Sequence, residues 1–136
     1  MNRNDSAVSH DSARTFVVMQ PTGGADVRSV NDEFWSRLHA DYPDFKGHNL
    51  VSTFAIEANW DAWECHPHGD EYVMLLSGVV AMRLKMEDGE ERVTLDQLGQ
   101  FVVIPRGIWH TAEVIEPGRM LFITPGHGTE HAPATS

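Results

Sequence analysis

Two short stretches hold most of the side chains that could do chemistry. The first is Trp63-Glu64-Cys65-His66-Pro67-His68-Gly69-Asp70-Glu71; the second runs from Gly99 through Pro105-Arg106-Gly107 to His110. Imidazole nitrogens combined with a carboxylate oxygen suit divalent Zn, Ni, Cu, Mn or Fe, and ligands gathered on one side of an ion leave positions open for water or substrate. Residues two apart share a face of an extended chain. His66 and His68 therefore project together if their stretch is a strand, and Pro67 favours an extended conformation for His66 before it. Glu71 opens an apolar run, where an inward, unpaired carboxylate is costly and a bound cation removes the cost. His110 begins another strand and would supply a ligand from the opposite wall, with Gly107 permitting the turn ahead of it.

The elements that must position these residues are short strands. Thr15 to Met19 is a β-branched apolar run closed by the turn cluster Gln20-Pro21-Thr22-Gly23-Gly24. Val30, Phe34 and Leu38 then recur at four-residue spacing, Ser29 and Asp32 offer a capping arrangement, and Asp41-Tyr42-Pro43 ends the pattern. This predicts one helix over residues 30–40, with Phe34 and Leu38 against the body. From about residue 50 the chain reads as strands over 51–58, 71–76, 79–84, 93–95, 101–104, 111–115 and 119–124, separated by Ser77-Gly78, Asp88-Gly89, Pro105-Arg106-Gly107 and Glu116-Pro117-Gly118. Many short strands punctuated by Gly and Pro predict an all-β sandwich or barrel. Residues 1–13 read as a flexible arm, 14–125 as a single domain and 126–136 as a flexible tail.

The two chemical stretches resemble the paired motifs of a small single-domain cupin. Glu71 to Gly78 matches E-x6-G of the first motif, and Gly99 to His110 matches G-x5-P-x-G-x2-H of the second; the likeness covers about residues 50–125. The resemblance implies a double-stranded β-helix, a jelly-roll barrel with one N-terminal helix. It also implies one divalent metal ion in the barrel and a small-molecule ligand. In the first motif only two residues separate His68 from Glu71, one fewer than usual. Two registers follow: His66, His68 and Glu71 with a tightened loop, or Glu64, His66 and Glu71 with His68 pointing elsewhere. His66, Glu71 and His110 belong to both, and the predicted metal set is His66, His68, Glu71 and His110. Trp60 stands where the motif's first glycine is usual, and Val114 where an asparagine is.

Function is expected to be metal-dependent chemistry on a small organic molecule, by oxygen-dependent cleavage or isomerisation, with no catalytic residue assigned. The rival is a non-catalytic small-molecule sensor with a degenerate metal site. Val73 and Leu75 share the parity of Glu71 and are expected to line the cavity with apolar surface. Cys65 alternates away from His66, which makes it a packed thiol. Trp60, Trp63 and Trp109 read as core or interface packing, and Arg106 as a solvated turn residue.

Composition limits the partners. In 136 residues, ten Lys+Arg face twenty Asp+Glu for a formal charge of -10, and the cations are scattered singly. Phosphate backbones and anionic membranes are bound through clustered cations, so neither nucleic acid nor membrane is expected. The single cysteine excludes an internal disulfide framework and suits a reducing compartment, and the N-terminus lacks the apolar stretch of a secretory signal; a cytoplasmic location follows as an expectation. The resemblance adds a homodimer.

Overall fold

The computed structural model describes residues 7–134. Its elements are β1 (Thr15–Met19), β2 (Ala25–Ser29), α1 (Phe34–Asp41), β3 (Asn49–Ile56), β4 (Ala62–Cys65), β5 (Glu71–Met86), β6 (Gly89–Leu95), β7 (Phe101–Ile104), β8 (His110–Thr124) and β9 (Glu130–Pro133). Every strand pairing is antiparallel.

Two long strands, β5 and β8, run side by side through the whole fold and divide it into two layers. Their register slips between Leu75 and Ser77, between Ser77 and Val79, and between Val79 and Val80. At this bulge both strands bend. The first half of β5 and the second half of β8 join β1, β2, β3 and β7 in one sheet, and their other halves join β4, β6 and β9 in the second. The bend depends on two glycines. Gly78 sits at φ +83°, and a Cβ on it would lie 2.6 Å from the Glu116 carbonyl, while one on Gly118 would collide with the Ser77 carbonyl. Two antiparallel sheets wrapped around one core form the jelly-roll barrel that the sequence predicts.

The residues read as separate strands at 71–76 and 79–84, and at 111–115 and 119–124, are each one continuous strand here. Ser77-Gly78 and Pro117-Gly118 bend their strands without ending them. The Asp88-Gly89 hairpin is present, pairing Met86 with Gly89. Between the sheets, Val73, Leu75, Val80, Met82 and Met120 are fully buried. A smaller cluster of Phe16, Val18, Phe34, Leu38 and Leu50 seats α1 on the first sheet.

The helix begins at Phe34, later than the predicted residue 30. Asn31 Oδ1 accepts from the Glu33 amide and its carbonyl from the Phe34 amide, so residues 31–33 form a turn that displaces the Ser29–Asp32 cap. Three strands have no counterpart among those predicted from the sequence, and one of them, β4, carries the start of the first chemical stretch, which the sequence makes extended only conditionally. β2 is too polar to show a pattern, and β9 forms inside the predicted tail. There Trp63 pairs with Ala132 and Glu64 with His131, so residues 126–134 are part of the domain's wall. Of the predicted N-terminal arm, residues 1–6 lie outside the described residues. Residues 7–13 are exposed, with the Ser12 carbonyl accepting from the Thr53 hydroxyl at 2.7 Å. Among the described residues no helix is long and apolar enough to cross a membrane.

Candidate metal centre

Strand β4 alternates, placing Trp63 and Cys65 on one face and Glu64 on the other, the face that His66 continues. Residues 67–69 then turn, so the alternation that would carry His68 inward stops at His66. The His66 carbonyl accepts from the Gly107 amide at 3.0 Å, which ties the first chemical stretch to the second. His110 opens β8 directly opposite Glu64 and is fully buried. Glu71 opens β5.

These four side chains converge. Glu64, His66 and His110 each bring one donor atom within 4.8 Å of the others. Glu71 Oε1 lies 3.4 Å from His66 Nε2 and 3.1 Å from His110 Nε2, and Glu64 Oε1 lies 3.7 Å from His66 Nε2. The opposite side of each buried group is held by a fixed partner. His110 Nδ1 faces the Ile108 carbonyl at 3.1 Å, which only accepts, so Nδ1 carries the proton. His66 Nδ1 lies 2.9 Å from the Thr129 hydroxyl, which itself donates to the Gly126 carbonyl and so accepts from His66. The Thr124 hydroxyl donates to Glu71 Oε2 at 2.6 Å. These tautomers, assigned from the partners, leave lone pairs on His66 Nε2, His110 Nε2 and Glu71 Oε1 aimed at one another. The same three atoms are buried without a hydrogen-bond partner among the described residues. Facing lone pairs in a dry interior are strongly unfavourable until a cation sits among them. Two imidazole nitrogens and two carboxylates, each buried one braced from behind, fit a divalent metal ion.

Without a metal, the surroundings favour a proton in that place. Burial pushes the Glu71 carboxyl upward, but hydrogen bonding and charge from His110 and His66 outweigh it and bring it to about 2. Burial works to lower His110, and the Glu71 carboxylate and the Ile108 carbonyl reverse this, raising it above the ordinary imidazole value. His110 protonated on Nε2 can then donate to Glu71 Oε1.

Of the predicted ligands, the structure brings together His66, Glu71 and His110 and leaves out His68. The His68 side chain is exposed and lies against His127, ring centroids 4.5 Å apart. Glu64 lies beside His66 and His110 instead, the arrangement of the second register. The parity of Glu64 and His66 ahead of the Pro-x-Gly turn is the sequence signal for it. Thr129 and His131, with His131 Nε2 3.9 Å from Glu64 Oε1, had no such signal, because they reach the site only through β9 pairing.

The cluster opens on a cavity of about 720 Å³ between the inner face of the first sheet, α1 with the loop after it, and the segment 126–131. His127 Nδ1 meets the Asp44 carbonyl at 2.7 Å and joins those two loops at the rim. Val73 and Leu75, expected as lining, lie fully buried in the core below; Phe54, Trp60 and Phe122 line the cavity instead. Trp60, in the place of the motif glycine, has its ring 6.4 Å from His110 and 6.0 Å from Phe122. Trp63 is buried on the other face of β4 under Arg83 and Lys85. Cys65 is a buried free thiol, which burial pushes upward in pKa.

No protein-family model matches the sequence, and no curated protein matches it. Among solved structures the chain is similar to hydroquinone 1,2-dioxygenase PnpCD in complex with Cd2+ and 4-hydroxybenzonitrile, at 21% identity over 56% of each chain and a TM-score of 0.48. It is also similar to a cupin-2 domain containing protein from Shewanella frigidimarina, at 23% identity over 57% of this chain and 70% of that one, with a TM-score of 0.46. A third is the oxalate decarboxylase OxdC of Bacillus subtilis, at 21% identity over 63% of this chain, with a TM-score of 0.49. The chain matches little more than half the length of the dioxygenase chain and 23% of the decarboxylase chain.

Two outcomes follow from the braced cluster. Thr129→Val removes the acceptor behind His66 while keeping its shape, and lowers zinc affinity about 10- to 100-fold in competition titration, with the fold unchanged by circular dichroism. The second concerns pH. The depressed Glu71 contributes stability that is present above its ordinary value of 4.5 and lost as pH falls toward 2. The raised His110 contributes stability that is complete below its ordinary 6.5 and lost as pH rises through its higher folded value. Metal-free protein is therefore most stable, in differential scanning fluorimetry, between those two ordinary values. Zinc must displace the His110 proton and raises Tm more at alkaline than at mildly acidic pH.

Proposed function

We propose that this protein is a metal-dependent enzyme that holds one divalent ion on Glu64, His66, Glu71 and His110 and acts on a small organic molecule in the adjoining cavity. The observation that carries this reading is the trio of buried, unpartnered atoms, His66 Nε2, Glu71 Oε1 and His110 Nε2, next to a mainly apolar cavity. A divalent ion supplies Lewis acidity at a carbonyl or enol oxygen, and a redox-active one gives access to dioxygen, which supports isomerisation or oxygen-dependent cleavage as the reaction class.

The chain's own groups divide the remaining work. His66 and His110 are locked by Thr129 and Ile108, so they hold their orientation through a reaction cycle. Glu71 is held on one oxygen by Thr124 and keeps the other in the buried cluster, so both of its oxygens are already engaged. Glu64 is the partly exposed member of the cluster and lines the cavity with His131 beside it. It is therefore the carboxylate positioned to exchange a proton with a bound molecule. Phe54, Trp60 and Phe122 exclude water from one side of the site.

A cytoplasmic location is part of the proposal and is supported by Cys65, kept as a lone free thiol. So is a homodimer. On the outer face of the first sheet one cross-strand row reads Val27, Val17, Val51, Ile123, Tyr72 and Val103. Val27 and Val103 are 45% and 47% exposed, an apolar stripe suited to a second copy.

Elemental analysis of protein purified without chelator is expected to find about one equivalent of a divalent transition metal. Aerobic and anaerobic screens of diketones, aromatic diols and sugar derivatives are expected to find turnover that His110→Ala lowers by more than about 100-fold. Ligand binding without turnover would favour a sensor, and turnover unchanged in His110→Ala would remove this site. Light scattering should give twice the chain mass of 15.2 kDa, and Val103→Glu should return the monomer.

A further inference from the structure

We propose that the cavity selects an uncharged, ring-bearing molecule that presents oxygen donors to the ion, and discriminates against organic anions. The inference rests on the reading of the cluster as a divalent-metal site and deepens it to a class of substrate.

Charge carries the first half. Glu64 and Glu71 bring two negative charges to the cluster, while the Nδ1–H tautomers leave His66 and His110 neutral when an ion occupies it. A divalent ion is therefore cancelled by its own protein ligands and keeps no net charge with which to attract a carboxylate. Among the described residues no lysine or arginine lines the space to supply it; the histidines there besides His66 are His39, His127 and His131, and Asp44 lines it as well. Arg106, close to the site in sequence, is exposed on the outside beside Asp70, Nε to Oδ1 3.9 Å. Arg28 lies away from the cavity, paired with Asp26 and Asp41. An anion entering would give up water between apolar walls without meeting a lysine or arginine.

The walls carry the second half. Phe54 and Phe122 lie with ring centroids 5.9 Å apart and Trp60 and Phe122 6.0 Å apart, a run of aromatic surface that ends beside His110. Trp35, from α1, faces the cavity as well. A flat ring can lie on this surface with its oxygen substituents toward Glu64 and His66, and 720 Å³ accommodates one or two rings. The atoms that would hold the ion at that end of the cavity include His66 Nε2 and Glu71 Oε1, which belong to residues only 3% exposed and have no hydrogen-bond partner among the described residues.

The test uses the full chain loaded with zinc, which is redox-silent, at about pH 8, above the range in which imidazoles ordinarily charge. The probes are protocatechuic acid and its methyl ester, which share the ring diol and differ by one negative charge. Binding is read by quenching of tryptophan fluorescence and by calorimetry. The ester is expected to bind at least about tenfold more tightly than the acid. Trp35→Arg, which places a cation on the wall and leaves the metal ligands untouched, is expected to narrow that ratio by about tenfold. Equal or tighter binding of the acid, absence of ester binding at millimolar concentration, or an unchanged ratio in Trp35→Arg overturns the proposal. Zinc stoichiometry is measured on the same samples, and the ester–acid ranking is repeated on metal-free protein. Loss of zinc binding with the ranking intact refutes the metal reading alone, and a reversed ranking with zinc bound refutes the charge selectivity alone.

Discussion

Burial of facing lone pairs is the constraint around which this fold is arranged. His66, Glu71 and His110 sit where water cannot compensate them, and each has its far side occupied by a neighbour that fixes its protonation. The residual unpartnered atoms all point to one place. A small domain gains only a few kcal/mol net from folding, so three unsatisfied polar atoms are a large fraction of its stability unless a cation, metal or proton, joins them. The Glu71–His110 pair favours the proton version of that solution, and the donor set fits the metal version.

The supports come from distant parts of the chain. The bend of β5 and β8 at Gly78 and Gly118 places Glu71 and His110 in different layers of the barrel yet in contact. Strand β4 adds Glu64 and His66 from the side, and β9 with the loop before it adds Thr129 from the end of the chain. Removing the C-terminal segment would therefore unseat an imidazole that lies more than sixty residues earlier. The same segment and the loop after α1 meet at the rim through His127 and the Asp44 carbonyl, so the ligand cavity and the metal cluster share one wall.

Charge balance distinguishes the cluster from one built on more imidazoles. With a carboxylate at Glu64 in place of a neutral ligand, the proposed site and a divalent ion in it would have no net charge to offer, which would leave the aromatic lining to decide what is held. Cluster composition and cavity lining thus argue in the same direction, although they arise from different strands.

Much of the architecture is legible from local pattern. Strand positions, the Asp88-Gly89 hairpin, the apolar face of the helix at Phe34 and Leu38, and the inward direction of Glu71 and His110 all follow from period and turn chemistry, which act over a few residues. The failures share a physical reason. His68 was placed inward by extending strand parity across Pro67-His68-Gly69, where the backbone turns instead. Val73 and Leu75 have the parity of Glu71 but lie deeper, and parity specifies a face and not a depth. Strand β9 and Thr129 have almost no local signal, since a short polar segment becomes a strand only when β4 offers an unpaired edge. Local pattern carries the all-β class, the two chemical stretches and His66, Glu71 and His110 as the residues shared by both registers, because side-chain alternation and turn residues are local physics. Contacts between segments far apart in the chain bring Glu64 beside His66 and His110, set Thr129 behind His66 and line the cavity with aromatic rings and, among the described residues, with no lysine or arginine, and no local pattern can specify such contacts.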